Sequence, residues 1–317
     1  MGEGGQHLSD RTARQGPARR RGRRLRRLRA LRRGEEGVRR RGIRHPMSRP
    51  GTRRRAVSGR RPVVLVLPAL GALGFLVIPL IGLLVRTPWA SLTDRLFSAE
   101  VGTALRLSLI CASCATVICL LLGIPLAWLL ARAHIPGRGV IRALVTVPLV
   151  LPPVVGGVAL LLVFGRRGLL GQYLYDWFGV SLPFTTPGVV VAEAFVAMPF
   201  LVISVEGALR STDTRYEEAA ATLGATPWYT FRRVTLPAIL PGVLAGGVLC
   251  WARALGEFGA TITFAGNFPG RTTTMPLAVY LALETDPDAA IVLSLVLLLV
   301  SVAVLVSLRE RWIRGAV

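Results

Sequence analysis

Six long apolar blocks dominate this chain of 317 residues. A helix needs about 20 mainly apolar residues to cross a bilayer, and each block is close to that length or longer. Helices satisfy their backbone hydrogen bonds internally, which the bilayer core requires. The sequence therefore predicts an all-α integral membrane protein with six transmembrane helices. The blocks are Val63–Val85, Leu107–Ala131, Ala143–Phe164, Gly188–Leu209, Ala238–Ala265 and Ile291–Leu308.

The distribution of arginine predicts how these helices are oriented, because basic residues are retained on the cytoplasmic side. With the N-terminus inside, arginines are more frequent in the inner segments than in the outer ones. We therefore expect both termini to be cytoplasmic. The same orientation brings residues 210–237, named the polar passage here, to the cytoplasmic face.

The first 61 residues differ from the rest of the chain, because they hold 22 arginines and four acidic residues. Such a composition does not bury enough apolar surface to fold. We therefore expect a disordered cytoplasmic tail over residues 1–61 and a transmembrane domain over residues 62–317. Two alternatives stay open: the tail binds anionic lipid or nucleic acid, or translation begins at Met47.

The residue types that the chain lacks argue against an enzyme. It contains no lysine, whereas a P-loop places a lysine at the β- and γ-phosphates. Its three histidines all lie outside the apolar blocks, which leaves no base for hydrolytic or zinc chemistry in the membrane. For Cys111, Cys114 and Cys119 we favour close helix packing over metal binding. We expect no catalytic residue, metal or cofactor in this chain.

The polar passage interrupts the apolar pattern with the signals of a short capped helix. Asp213 suits the N-cap of a helix over Thr214–Leu223. Glu217 and Glu218 fall in its early turns, where the helix dipole favours acidic residues. Gly224 then ends the helix, as a glycine at the C′ position does.

A second short helix is predicted to follow directly. Thr226 caps it, and Pro227 occupies its first position, which tolerates proline. Arg232 and Arg233 lie near its end, and we expect Pro237 to close the unit. The alternative is an ordinary interfacial loop, with its aromatic side chains among lipid headgroups.

The spacing in the polar passage closely resembles the cytoplasmic loop signature of bacterial ABC-importer permeases. The matching residues are Glu218-Ala219-Ala220, Gly224, Val234 and Leu236-Pro237. In that family the loop is a coupling helix, which docks in a groove of the ATP-binding subunit. The residues for which the resemblance implies a coupling role are Arg215, Glu217, Glu218, Ala219, Ala220, Gly224, Thr226, Trp228, Leu236 and Pro237.

Three further stretches resemble the molybdate-type permease subunit, with the sulfate permeases as near relatives. They are WARALGEFGATITFAGNFPGRTTTMPLAVY at Trp251–Tyr280, PLVLPPVVGG at Pro148–Gly157 and FGRRGLLG at Phe164–Gly171. The resemblance covers about residues 63–308. It implies the permease fold of binding-protein-dependent ABC importers and the import of molybdate or a related tetrahedral oxyanion. Sulfate and tungstate stay open as substrates, and an ion-coupled secondary transporter is the alternative from another class.

The same resemblance implies partners in a bacterial plasma membrane. These are a second copy of the chain, two ATP-binding cassette subunits that bind ATP and magnesium, and an extracytoplasmic oxyanion-binding protein. A motor with two ATPase subunits needs two coupling passages, and the single passage of this chain independently indicates a twofold dimer. Membrane lipid is a further expected partner, and a specific nucleic acid is not.

Arg253 and Glu257 are the sharpest charged features within the apolar blocks, where charges are costly. Their spacing of four residues predicts that they share a helix face near the middle of the fifth block. Two interpretations stay open: they line or gate the pathway, or they form an ion pair that holds helices together. Glu193 is an alternative partner for Arg253, and Gly259 belongs to the same candidate pathway set.

Packing and docking features complete the sequence-based predictions. Gly242, Gly246 and Cys250 form a small-residue stripe that predicts close helix packing. The prolines of the third block should bend its helix. Asn267 and Arg271 belong to residues 267–274, named the outer loop, where a binding protein would dock. A plain turn is the alternative for this loop.

Overall fold

The computed structural model describes residues 63–314. The arginine-rich tail over residues 1–61, with the alternative start at Met47, lies outside the described residues. The described residues fall into two units, which divide between Val66 and Leu67. The helices described belong to the second unit, apart from the first residues of the first helix.

Helices make up the regular structure of the described residues, which confirms the prediction of an all-α membrane protein. Five are long and apolar enough to cross a membrane, and a bent pair supplies a sixth span if it is counted as one. The helices are α1 (Val63–Arg86), α2 (Leu92–Leu96), α3 (Ala99–Arg132), α4 (Arg138–Val150), α5 (Pro153–Phe164), α6 (Gly171–Phe178), α7 (Thr186–Ser211), α8 (Arg215–Thr222), α9 (Pro227–Thr230), α10 (Leu236–Leu255), α11 (Gly259–Phe264), α12 (Met275–Thr285) and α13 (Pro287–Arg314).

The bent pair is α4 and α5, between which the helix direction changes by 117°. Leu151 and Pro152 have extended backbone between the two helices, as expected for residues that precede proline. The predicted bend in the third block is therefore confirmed. Each half is about 18–20 Å long, so neither crosses a 30 Å hydrocarbon core by itself.

Helix α7 lies at the centre of the fold and packs most extensively against α3 and α10. Its close approach to α10 depends on small residues. A Cβ on Gly246 would lie 2.8 Å from the Cβ of Ser204, and one on Gly242 would collide with the side chain of Ala208. Cys250 is wholly buried in the same core. The predicted small-residue packing face is therefore confirmed.

The 26 residues of α7 separate two functional candidates by about 39 Å. At its first residue, the hydroxyl of Thr186 donates a hydrogen bond of 2.8 Å to the carbonyl of Arg271 in the outer loop. At its last residue, Ser211, the chain enters the polar passage. The outer loop and the polar passage therefore lie at opposite ends of the central helix.

Candidate functional site

The first short helix of the polar passage is α8, one residue shorter at each end than predicted. Thr214 occupies the N-cap position without a side-chain bond. The carboxylate of Asp213 instead accepts a 3.0 Å hydrogen bond from the backbone N–H of Arg215. Glu217 and Glu218 lie in the first turn, where their charges complement the helix dipole.

Gly224 ends α8 with a left-handed backbone, at a φ of 81°. Its N–H donates to the carbonyl of Ala221 at 3.0 Å, and the N–H of Ala225 donates to the carbonyl of Ala220 at 3.1 Å. These two bonds are the Schellman pattern. A Cβ at Gly224 would meet no atom within 4 Å, so the requirement for glycine here comes from the backbone conformation alone.

The second short helix, α9, begins as predicted but does not end as predicted. The hydroxyl of Thr226 accepts a 3.3 Å hydrogen bond from the N–H of Tyr229, and Pro227 opens the helix. A π-helical turn over Phe231–Thr235 then joins α9 to α10. The expectation that Pro237 closes the unit is therefore wrong.

Pro237 lies in the first turn of α10, within one continuous helical rod from Pro227 to Leu255. A proline ring normally clashes with the carbonyl four residues before it. The wide π turn just before Leu236, whose N–H donates to the carbonyl of Phe231, shifts the hydrogen bonds by one residue. This rearrangement accommodates proline without ending the helix.

The outward face of the polar passage is apolar and uncovered. Trp228 is 69% exposed, and Tyr216, Leu223 and Tyr229 are exposed as well. The rings of Trp228 and Phe231 stack with their centroids 5.9 Å apart, which fixes their orientation. Exposed aromatic patches of this kind mark interaction sites.

Glu217 ties the passage to two spans, and the sequence pattern did not reveal this. Its Oε1 lies 3.0 Å from Nη2 of Arg132 at the end of α3. The same oxygen accepts a 3.2 Å hydrogen bond from the hydroxyl of Thr235, just before α10. Glu218 is exposed, and among the described residues its side chain has no ion pair. The two neighbouring acids therefore differ: one braces the passage and the other is free to bind.

The other residues assigned to coupling fall into exposed and covered groups. Arg215 and Ala219 are exposed and Ala220 is half-buried, so the Ala-Ala face of α8 remains open. Leu236 is half-buried and packs against the main core. Pro237 is exposed on α10.

Glu193, Arg253 and Glu257 form a cluster that we name the charged corner. Nη1 of Arg253 lies 2.5 Å from Oε2 of Glu257, so these two residues pair. Their expected shared helix face is wrong, because α10 ends at Leu255 and Glu257 lies in the corner beyond it. The fifth apolar block is thus two helices, α10 and α11, instead of one.

Glu257 also organises the start of α11. Its Oε1 accepts a 2.8 Å hydrogen bond from the backbone N–H of Ala260, so one carboxylate caps α11 and neutralises Arg253 at the end of α10. Glu257 is only 1% exposed, while the side chain of Arg253 is 28% exposed. The arginine is therefore the part of this pair that reaches the surface.

Glu193 is not the partner of Arg253 among the described residues. It is 1% exposed on α7, it lies near Glu257, and its Oε2 has no hydrogen-bond partner within residues 63–314. Gly259 has a packing role: a Cβ there would lie 2.8 Å from the Cβ of Pro153 at the start of α5.

The outer loop is internally braced. The hydroxyl of Thr273 donates to Oδ1 of Asn267 at 2.6 Å, and the N–H of Phe268 donates to the hydroxyl of Thr272 at 2.8 Å. Asn267 is therefore half-buried and engaged in the loop itself. Arg271 is exposed at the turn and is the residue of the two that a partner can reach.

A model of the inner membrane component of binding-protein-dependent transport systems matches residues 123–315. This match spans more than half of the chain and includes both the polar passage and the charged corner. The chain belongs to this family. As a permease of this family it is a multi-pass membrane protein.

The permease is 50% identical over 247 residues to the molybdenum transport system permease protein ModB of Mycobacterium tuberculosis, covering 77% of this chain and 92% of that protein. It is 38% identical over 221 residues to the sulfate transport system permease protein CysT of Salmonella typhimurium, covering 69% and 79%. Its fold is similar to that of a chain from a bacterial ABC transporter involved in the import of alginate. The TM-score is 0.66 at 20% identity, covering 80% of the permease and 94% of that chain.

A second charged cluster of the permease was not predicted from the sequence. Oε1 of Glu206 on α7 lies 2.9 Å from Nη2 of Arg210 and also pairs with Arg142 on α4. The signal was present, because Glu206 is an acid inside an apolar block and lies four residues before an arginine. This cluster ties α4 to the end of α7 that leads into the polar passage.

Proposed function

We propose that this chain is the membrane-spanning permease subunit of an ABC importer that moves molybdate into the bacterial cytoplasm. The observation that carries the substrate is the higher identity to a molybdenum permease, 50% over 92% of its length, than to a sulfate permease, 38% over 79%. The polar passage supports the coupling role, since it presents an exposed and rigidly capped surface. A secondary transporter would leave this surface unexplained.

The passage is built to transmit force to several spans. A partner that displaces Trp228 acts directly on the helical rod of 29 residues from Pro227 to Leu255, which is about 43 Å long. The bonds of Glu217 to Arg132 and Thr235 transmit the same displacement to the end of α3. Because the caps hold α8 and α9 in place, motion of the partner moves helices instead of dissipating in the loop.

The partners follow from this assignment. ATP and magnesium are bound by a separate ATP-binding subunit, with Glu218, Ala219, Ala220 and Trp228 at the contact. Two copies of the permease supply the two passages that a pair of ATPases requires, with the pathway between them. An extracytoplasmic binding protein delivers the oxyanion at the end of the outer loop, where Arg271 is exposed. Both termini then lie in the cytoplasm.

The contacts of Glu257 in the charged corner support a structural role for this residue more than a role in substrate binding. Its carboxylate pairs with Arg253 and accepts a hydrogen bond from the N–H of Ala260. A net positive charge is therefore not available in the corner to hold a dianion. Arg253 contributes to the pathway only through its exposed part, while the pair fixes the junction of α10 and α11.

Uptake of labelled molybdate tests the proposal. The chain would be expressed with a molybdate-type ATP-binding subunit and binding protein in a bacterium that lacks its own molybdate importer. We expect ATP-dependent accumulation that unlabelled molybdate and tungstate inhibit and sulfate does not. Absence of molybdate uptake with these partners, together with sulfate uptake when the chain is instead paired with the ATP-binding subunit and binding protein of a sulfate importer, would assign the chain to the sulfate permeases. Uptake that depends on an ion gradient without ATP would refute an ABC importer.

A further inference from the structure

The short helix α6 is held rigidly at the end of α5 by a glycine-rich hairpin. The N–H of Leu170 donates to the carbonyl of Val163 at 2.8 Å, and that of Leu169 donates to the carbonyl of Leu162 at 3.2 Å. A Cβ on Gly171 would collide with the carbonyl of Gly165. Backbone thus packs directly on backbone, and α6 has a defined orientation relative to the α5 end.

The helix carries an apolar face that its own chain does not cover. Leu170, Tyr173, Trp177 and Phe178, which we name the aromatic stripe, follow the spacing of one helix face. All four are exposed, and Trp177 is 73% exposed. The ring centroids of Tyr173 and Trp177 lie 5.6 Å apart, and those of Trp177 and Phe178 lie 6.4 Å apart. The stripe is therefore one continuous surface.

Beside the stripe, α6 and its hairpin also carry polar and charged side chains. Nη2 of Arg166 donates a 2.6 Å hydrogen bond to the hydroxyl of Tyr175, and its guanidinium lies 4.1 Å from the centre of that ring. Arg167 and Asp176 are exposed. An apolar stripe beside exposed charges makes α6 amphipathic, with basic residues placed next to the apolar face.

We propose that α6 lies in the interfacial layer of the bilayer, at the end of α7 opposite the polar passage. Its aromatic stripe would insert between lipid headgroups and the upper acyl chains, and Arg167 would face lipid phosphates. Tyrosine and tryptophan prefer this layer, and amphipathic helices lie in it with the apolar face inward. On the preceding helix α5, Val158 and Leu162 are exposed apolar residues as well.

A soluble partner fits the stripe less well than lipid does. The helix is about 12 Å long, too short to supply alone the roughly 800 Å² that a stable protein interface buries on each side. A binding protein also leaves between transport cycles, and the stripe would then face water. Lipid is always present. An anchor here would set the depth of α5, which is too short to span the bilayer and so lacks a depth of its own.

Tryptophan fluorescence of the full chain in proteoliposomes tests this placement. The fluorescence of Trp177 is obtained by subtracting the fluorescence of the Trp177→Phe variant from that of the native chain. We expect strong quenching by lipids brominated in the upper part of the acyl chain, weaker quenching by lipids brominated at the chain end, and little quenching by iodide on both sides. The matched control is Trp228, obtained from Trp228→Phe; it is similarly exposed, and without the ATPase iodide should quench it.

Three results would overturn the proposal. Quenching of Trp177 by iodide but not by brominated lipid would place the stripe in water. Loss of that iodide quenching on addition of the binding protein would identify a protein-docking surface. Resistance to both quenchers would mean that the stripe is buried between two copies of the chain. The placement requires only that the chain spans a membrane, so these results do not depend on which anion it transports.

Discussion

The polar passage and the charged corner each combine a short helix with charged side chains, but different interactions hold the two regions in place. In the passage, α8 has no buried residue, and apart from the bonds of Glu217 its order comes from caps within a few residues of sequence. In the corner, four of the six residues of α11 are buried, and order comes from contacts across helices. A surface held by local bonds stays free for a partner. A buried cluster of charged residues must instead pair its charges with groups inside the fold.

The difference predicts what substitutions do in each place. A change in the passage should alter assembly with a partner while the chain still folds. A change in the corner should alter folding itself, because a buried charge that loses its partner has no water to replace it. Each experiment below tests this division, beginning with the largest effect.

Removal of the negative charge at Glu257 should destabilise the fold most. Glu257→Gln keeps an oxygen for the N–H of Ala260 but leaves the Arg253 charge without a partner. Breaking a buried ion pair costs about 3–5 kcal/mol, and the lower end applies because Arg253 is partly exposed. The free energy of unfolding in mild detergent measures the loss. Glu284→Gln, an exposed acid on α12, is the matched control and should change little.

The double variant Arg253→Met with Glu257→Gln sharpens this test. Because neither charge is then left unpaired, the double change should destabilise the chain by less than the sum of the two single changes. Additive effects would show that the two residues do not interact in the membrane. The predicted difference between substitutions in the corner and in the passage would then be refuted.

In the passage, Gly224→Val should leave the fold intact and impair coupling. A side chain at the left-handed backbone of Gly224 costs about 1–2 kcal/mol. We expect the free passage to avoid this cost by relaxing to another backbone conformation, so that docking of the ATPase must restore the strained one and becomes roughly tenfold weaker. Co-purification of the ATPase and substrate-stimulated ATP hydrolysis in proteoliposomes measure this effect. Gly102→Val is the control, since a Cβ meets no atom there either and its φ is ordinary. Normal assembly and stimulation in Gly224→Val would refute a coupling role.

The polar passage and the charged corner also differ in how accurately the sequence predicts their structure. The bounds of α8, the left-handed Gly224 and the cap at Thr226 were predicted to within one residue, because each depends on neighbours in sequence. The end of α10 at Leu255 was missed, although Gly256 follows it. Beyond that break α11 packs closely against α5, where a Cβ on Gly157 would lie 2.8 Å from the carbonyl oxygen of Ala260.

Ion pairs between residues distant in sequence could not be predicted either, because they also depend on contacts across helices. Arg132 and Glu217 are 85 residues apart, and no local pattern joins them. The π turn before Pro237 was missed as well, because a proline in the first turn of a long helix and a proline that ends a short one look alike in sequence. The fold class and the capped passage were thus predictable, and the pair of Arg253 and Glu257 was among the open interpretations, whereas the pairing of charges across helices was not predictable.

The two neighbouring acids of α8 test the division within the passage itself. Glu217→Gln removes the ion pair with Arg132 and should lower the stability of the chain by about 1 kcal/mol, since both side chains are only partly exposed. Glu218→Gln should leave thermal unfolding unchanged and weaken co-purification with the ATPase several-fold, because it removes one charge-assisted hydrogen bond. The opposite assignment of effects would mean that Glu218 braces the passage and Glu217 meets the partner.

The smallest effect is expected near the start of α3, where an exposed ion pair joins segments that are distant in sequence. Arg95 between α1 and α3 pairs with Asp286 between α12 and α13, and the hydrogen bond from Arg95 lowers the pKa of Asp286. A lowered pKa in the folded chain means that the pair stabilises the fold above the unfolded pKa of about 3.9 and stops doing so as the pH falls through the folded value. The melting temperature of Asp286→Asn should therefore lie slightly below that of the native chain at neutral pH, and the two should converge in acid. Solvent screens the pair, so high salt should also remove the difference. A large gap at neutral pH that persists in salt would show that contact between distant segments, and not burial, sets the size of these effects.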